Sequence, residues 1–201
     1  MLDLAEPEWH LAEPEQDELS LLIALPEAQS SAQYPCVAHE QLADTLVAGD
    51  LYDAVLVASA LTEQDRVADL CAKLGTELII FEHPTGDQQV LQDALLNITD
   101  KLFSDEMPSN LGLQDIRNLK LNADCIFAFT SHLAALDFMA TQTIGELADV
   151  VYLAHGHSRL NDLKAGSDAL EAQLPENSFI CASLLSSGRS ECTILLGVRK
   201  D

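Results

Sequence analysis

The chain has 201 residues, of which 48% are hydrophobic and 21% charged, and its formal net charge is -23. That size and composition suit a packed globule and argue against wholesale disorder. The charge argues against nucleic acid and anionic lipid as partners, since phosphates would be repelled, and favours basic protein partners.

Residues 1–17 carry an imperfect heptad duplication, Leu4-Ala5-Glu6-Pro7-Glu8 and Leu11-Ala12-Glu13-Pro14-Glu15. Proline at that period breaks a helix and the acids repel, so the segment reads as a mobile acidic tail. Trp9, the only tryptophan, reads as a docking anchor in that tail. Leu19 to Leu25 is an apolar run stopped by Pro26, which predicts a buried strand. A helix is predicted over 39–48, closed by Gly49, and a second strand over Ala54 to Ala58. Thr62 is placed to cap a helix from Glu63 to Leu74, ended by Gly75, and a third strand runs from Glu77 to Phe81.

Asp87 to Phe103 reads as a long helix with Val90, Leu91, Ala94, Leu95, Ile98 and Leu102 on one stripe. A polar loop follows, then a strand over Ala123 to Phe129 and a helix from His132 to Leu147. Further strands are predicted at Val150 to Ala154, Ser178 to Leu184 and Cys192 to Val198, with a helix over Leu160 to Leu174. The turn Ser186-Ser187-Gly188-Arg189 predicts an antiparallel hairpin between the last two strands. The fold class is therefore α/β: a parallel Rossmann-like half, then an α+β half with a terminal hairpin, built as two sheets.

The cysteines Cys36, Cys71, Cys125, Cys181 and Cys192 are odd in number and show no C-x-x-C spacing. They read as thiols in a reducing compartment. No apolar run reaches the roughly 18–20 residues that span a bilayer, so a cytoplasmic location is expected.

The loop Ser109-Asn110-Leu111-Gly112-Leu113-Gln114-Asp115-Ile116-Arg117 resembles the catalytic loop of the tubulin-like cell-division GTPase FtsZ of bacteria, which reads Asn-x-Asp-x-x-Asp. The stretch Gly49-Asp50-Leu51-Tyr52-Asp53-Ala54-Val55-Leu56-Val57-Ala58-Ser59 and the strand entry Leu74-Gly75-Thr76-Glu77-Leu78-Ile79-Ile80 are similar to segments of that family. The resemblance divides the chain into the tail at 1–17, a truncated nucleotide-binding-like region at 18–104, and a C-terminal-like α+β region at 105–201. It implies a tubulin/FtsZ-like fold, and a loop that meets the next subunit through Asn110, Gly112, Asp115 and Arg117. The implied partner is the protein itself or a cell-division filament.

The departures from the family bear on chemistry. Its glycine-rich phosphate loop is replaced by Ala58-Ser59-Ala60-Leu61-Thr62-Glu63-Gln64-Asp65. Side chains stand there where backbone N–H groups would close on phosphate, and two acids repel it. Gly112 occupies the position of one water-polarising carboxylate. The resemblance thus implies a pseudo-GTPase, with no GTP binding, no cofactor and no catalytic residues. Two alternatives stay open. One is a flavodoxin- or receiver-like binding module, since parallel sheets host ligands at strand ends. The other is a metal-dependent hydrolase built on His155-Gly156-His157, which supplies too few ligands for a dinuclear site.

Overall fold

The computed structural model describes residues 19–28, 31, 33–104, 106, 111–156 and 160–200. The tail at 1–17, with Trp9, lies outside the described residues. The strands are β1 (Leu21–Leu25), β2 (Cys36–Ala38), β3 (Ala54–Ala58), β4 (Glu77–Glu82), β5 (Cys125–Phe129), β6 (Gly145–His155), β7 (Ile180–Leu185) and β8 (Cys192–Lys200). The helices are α1 (His39–Ala48), α2 (Gln64–Leu74), α3 (Gln88–Leu102), α4 (Leu113–Leu121), α5 (His132–Thr141) and α6 (Leu160–Glu171).

Among the described residues the strands form one eight-stranded sheet, ordered β2-β1-β3-β4-β5-β8-β6-β7. The first five run parallel, which the β-α-β spacing predicts for β1, β3 and β4, while β2 has no counterpart among the predicted strands. The α/β class holds, but the two predicted sheets are one. The halves join where Phe81 pairs with Ile126 and Glu82 with Phe127. The predicted hairpin is also absent. β7 pairs with β6 in parallel, and β8 lies between β5 and β6, antiparallel to both. Cys192 to Val198 is buried at every position. A strand with no polar face gains most inside a sheet, where both faces are covered.

Alternation along the strands separates the two faces. Leu21, Ile23 and Leu25 of β1 join Leu56, Phe81, Ile126, Val151, Leu185 and Leu195 under α3 and α4. Leu22 and Ala24 face α1 and α2 on the opposite side, while Phe127, Tyr152 and Ile194 face α5 and α6 there. The connection from β4 to β5 thus crosses the face that the α1 and α2 connections leave open. Because it advances the sheet in the same direction, its hand is opposite to theirs.

Several boundaries differ from the sequence reading, three of them at helix ends with a visible local cause. Glu63, not Thr62, precedes α2, and no side chain caps it. Asp87 caps α3 instead, accepting from the Gln89 and Val90 amides at 3.0 and 3.2 Å. The helix predicted to run to Leu147 stops at Thr141. Gln142 ends it by accepting from the Ile144 amide and donating to the Gly145 carbonyl, and β6 starts there. Among the described residues no helix is long and apolar enough to cross a membrane.

Candidate functional site

The carboxyl ends of the parallel strands gather polar groups at one edge of the sheet. All four described histidines stand there: His39 after β2, His83 after β4, His132 after β5 and His155 at the end of β6. Burial lowers the basicity of His39, His83 and His155. His83 accepts at Nδ1 from the Asp87 amide, and His132 Nε2 donates to the Gly166 carbonyl at 2.9 Å.

His155 belongs to a buried network. Its Nδ1 donates to the Ser190 carbonyl at 2.8 Å, which fixes the tautomer. Its Nε2 then accepts from the Thr193 hydroxyl, which in turn accepts from the Asn97 amide at 3.1 Å. The other end of that amide, Oδ1, accepts from the Arg189 backbone N–H at 2.9 Å and from its guanidinium. Arg189 also donates to Asp100 at 2.5 Å, and Tyr34 donates to the same carboxylate at 2.8 Å. Burial raises the Tyr34 phenol above its usual range, so it stays a donor. Glu106 accepts from both the amide and the hydroxyl of Ser186, and these bonds hold its carboxyl below the usual range. The fully buried Lys101 donates to the Glu106 carbonyl at 2.5 Å. Side chains from α3, β6 and the α3–α4 loop thereby hold the turn between β7 and β8. A cavity of about 550 Å³ opens beside Tyr34, Asp100, Phe103, Glu106 and Arg189.

A second cavity, of about 390 Å³, lies where α1 and α2 begin. Strand order reverses between β1 and β3, and parallel sheets bind ligands at such a reversal. The walls include His39, Glu40, Asp44, Thr62, Glu63 and Arg66. Arg66 pairs with Glu63 at 2.7 Å. Ser59, at the end of β3, has φ +81°, a left-handed conformation uncommon outside glycine.

The loop singled out from sequence serves its own helix. Asp115 accepts from the Gly112 amide at 2.8 Å, and the Asp115 amide donates to the Gly112 carbonyl, which closes the start of α4. Gly112 has φ -107°, a conformation open to any residue, so no special turn requires glycine there. Arg117 pairs with Glu77 at 2.8 Å and donates to the Asp53 carbonyl, and Lys120 reaches the other oxygen of Glu77. Asn110 lies outside the described residues, as does His157. Among the described residues no group of three or more His, Cys, Asp or Glu is arranged to hold a metal ion. The Asn97, His155 and Arg189 network went unread in the sequence because its members lie up to 96 residues apart.

No protein-family model matches the sequence, and no curated protein does. Among solved structures, the chain is similar to CetZ from Methanosaeta thermophila, with 10% identity and a TM-score of 0.40, over 81% of this chain. It spans 56% of that protein's length. An FtsZ mutant from M. jannaschii gives 10% identity and a TM-score of 0.46, over 90% of this chain and 91% of the other. A DegV family protein from Corynebacterium glutamicum gives 10% identity and 0.31, over 91% and 98%. Likeness at this level assigns neither family nor activity.

Proposed function

We propose that this chain is a non-hydrolysing, tubulin/FtsZ-like interaction protein that assembles with itself or binds a filament partner. The observation that carries the reading lies at the amino edge of the sheet. Leu51 and Leu121 are 71% and 76% exposed there. Leu51 precedes the Asp53 carbonyl that Arg117 binds, and Leu121 follows Arg117 by about one helical turn. Two large apolar side chains around an Arg117–Glu77–Lys120 cluster give a partner both area and register. Asp115 supports this surface by holding α4, and Gly112 by starting it.

The β3–α2 turn supports the absence of GTP chemistry. A helix amino terminus attracts anions, yet α2 begins with Glu63 and Asp65, and the one nearby guanidinium is paired with Glu63. Titration with labelled GTP and Mg²⁺ is expected to show no saturable binding at micromolar protein. Sedimentation of the wild type, Arg117→Glu and Leu121→Glu tests the contact. Leu121→Glu should melt like the wild type and lose association or filament binding, and Arg117→Glu should lose it too while melting lower, because it sets a second carboxylate beside Glu77. Unchanged association would remove this edge from the reading, and micromolar GTP affinity would overturn its non-hydrolysing part.

The order β2-β1-β3-β4-β5 favours a second reading, a flavodoxin- or receiver-like ligand module. The carboxylates of Glu40, Asp44 and Glu63 around the reversal cavity suit a cationic ligand better than a phosphate. Retention of a small amine through gel filtration, lost in Asp44→Asn, would support it.

A further inference from the structure

We propose that the acidic segment ahead of β1 docks on the amino edge of the sheet, with Trp9 seated against Leu51 and Leu121, and so competes with the partner of that edge. The competition rests on the partner reading above; the docking does not. The chain enters the fold at this surface. The Ser20 amide donates to the Asp53 carboxylate at 2.8 Å and the Ser20 hydroxyl to the Leu51 carbonyl, while the Asp53 amide donates back to the Ser20 carbonyl at 2.7 Å. Arg117 holds the carbonyl of the same Asp53. Whatever precedes Leu19 is therefore tethered beside Leu51, one hydrogen bond from Arg117. Its reach is ample: Trp9 stands ten residues before Leu19, and an extended chain of that length spans up to about 35 Å. β3, which follows Leu51, and β5, which follows Leu121, are two strand spacings apart, about 10 Å. A short tether holds its end at an effective concentration on the order of millimolar.

Charge and apolar area select the occupant together. Residues 1–18 carry seven acids and no lysine or arginine. In a chain of net charge -23 most of the surface repels such a segment. Arg66, Lys164, Arg189 and Arg199 each have a carboxylate of their own. Arg117 and Lys120 share one, Glu77, which leaves a positive charge in surplus. Glu8 stands next to Trp9 in the sequence and supplies the acid for that surplus. Trp9 supplies the cover for Leu51 and Leu121, both largely exposed, and a large amphipathic ring beside a paired cation is the usual anchor of a contact. Asp50 and Asp53 border the surface, so the contact is weak enough for a partner to displace.

Trp9 is the only tryptophan, so its fluorescence reads the contact directly. In the full chain, diluted until sedimentation shows a monomer, Trp9 should emit to the blue of a synthetic peptide of residues 1–17. It should also be less open than the peptide to acrylamide, a neutral quencher that the acids do not repel. Leu121→Glu should move both the emission and the quenching to the values of the peptide. Leu133→Glu adds the same charge at an exposed position on α5 and should leave both unchanged. Leu121 and Leu133 are exposed, so matching melting curves show that both variants fold. A wild-type Trp9 as open as that of the peptide overturns the docking. So does a Trp9 that answers equally to Leu133→Glu, or one that is protected yet indifferent to Leu121→Glu. Deleting residues 1–17 should strengthen the association seen in sedimentation several-fold, and no gain overturns the competition. Absence of association in both forms removes the partner reading and the competition with it, and the docking is then decided by Trp9 alone.

Discussion

Asn97 uses both ends of its amide inside the protein, donating to Thr193 and Ser190 and accepting from Arg189. It is fully buried, and removing it takes the acceptor from the Arg189 backbone N–H and a donor from Thr193 and Ser190. Asn97→Ala is expected to cost about 2–3 kcal/mol, because it leaves buried donors and acceptors unpaired. Urea denaturation measures this, and a cost below about 0.5 kcal/mol would mean that the network relaxes freely. The histidines of the same edge set the response to acid. Burial lowers the pKa of His39, His83 and His155 from the ordinary 6.5 in the folded chain. The unfolded chain therefore takes up protons first as pH falls. Stability is complete above the unfolded value and is lost progressively below about 6.5. Glu106, lowered from 4.5, adds a second loss further down, as pH falls through its folded value. Melting temperatures from about pH 8 to about pH 5 should be flat above neutrality and decline below about 6.5, and His155→Gln should shrink the decline.

At the scale of elements, the sequence was most legible where an apolar run meets a stop. β1 ends before Pro26, and α1 and α2 close on Gly49 and Gly75, both in the left-handed region. It misled where composition and context disagree. Gly145-Glu146-Leu147 looks like the end of a helix, yet a Cβ on Gly145 would collide with the Arg199 carbonyl. That closeness shows a glycine suited to strand contact. Gly188 misled in the same way. It reads as the pivot of a hairpin, but a Cβ there would collide with His155 Nδ1. The residue is small so that the turn can rest on the imidazole, and the flanking strands go to different neighbours. Gly188→Ala is expected to displace that ring and lower the melting temperature by several degrees, at about 2–4 °C for each kcal/mol in a chain of this size. No change on substitution would mean that the turn has room to lift away. The start of α4 at Gly112 was not legible in the loop pattern, which points Asp115 at a partner, whereas its carboxylate holds the Gly112 amide. The engagement of Glu77 and Asp53 through Arg117 was not legible either, because those partners lie 40 and 64 residues earlier.

For the whole molecule, local patterning was enough for the class of fold but not for the closure of two halves into one sheet. Two residue pairs between β4 and β5 make the seam, and no periodicity announces which strand lies beside which. α3 spans that seam. Its Leu91, Leu95 and Ile98 share one core with Ile23 and Leu56 of the early strands and with Val151 and Leu195 of the late ones. Scanning calorimetry should therefore show a single cooperative transition, whereas two separable transitions would mean that the halves melt independently. The shared helix also governs what a backbone break would do. A nick between residues 104 and 111 leaves α3 on the first fragment, while β5, β6 and β8, which it helps to cover, go with the second. The first fragment then exposes the side of α3 that packed on the late strands, the second exposes the part of the sheet face that α3 covered, and each should stay unfolded or precipitate alone. Mixed in equal amounts they should complement one another and recover the circular dichroism of the intact chain. Independent folding of either fragment would show that its sheet face does not need the other's contribution.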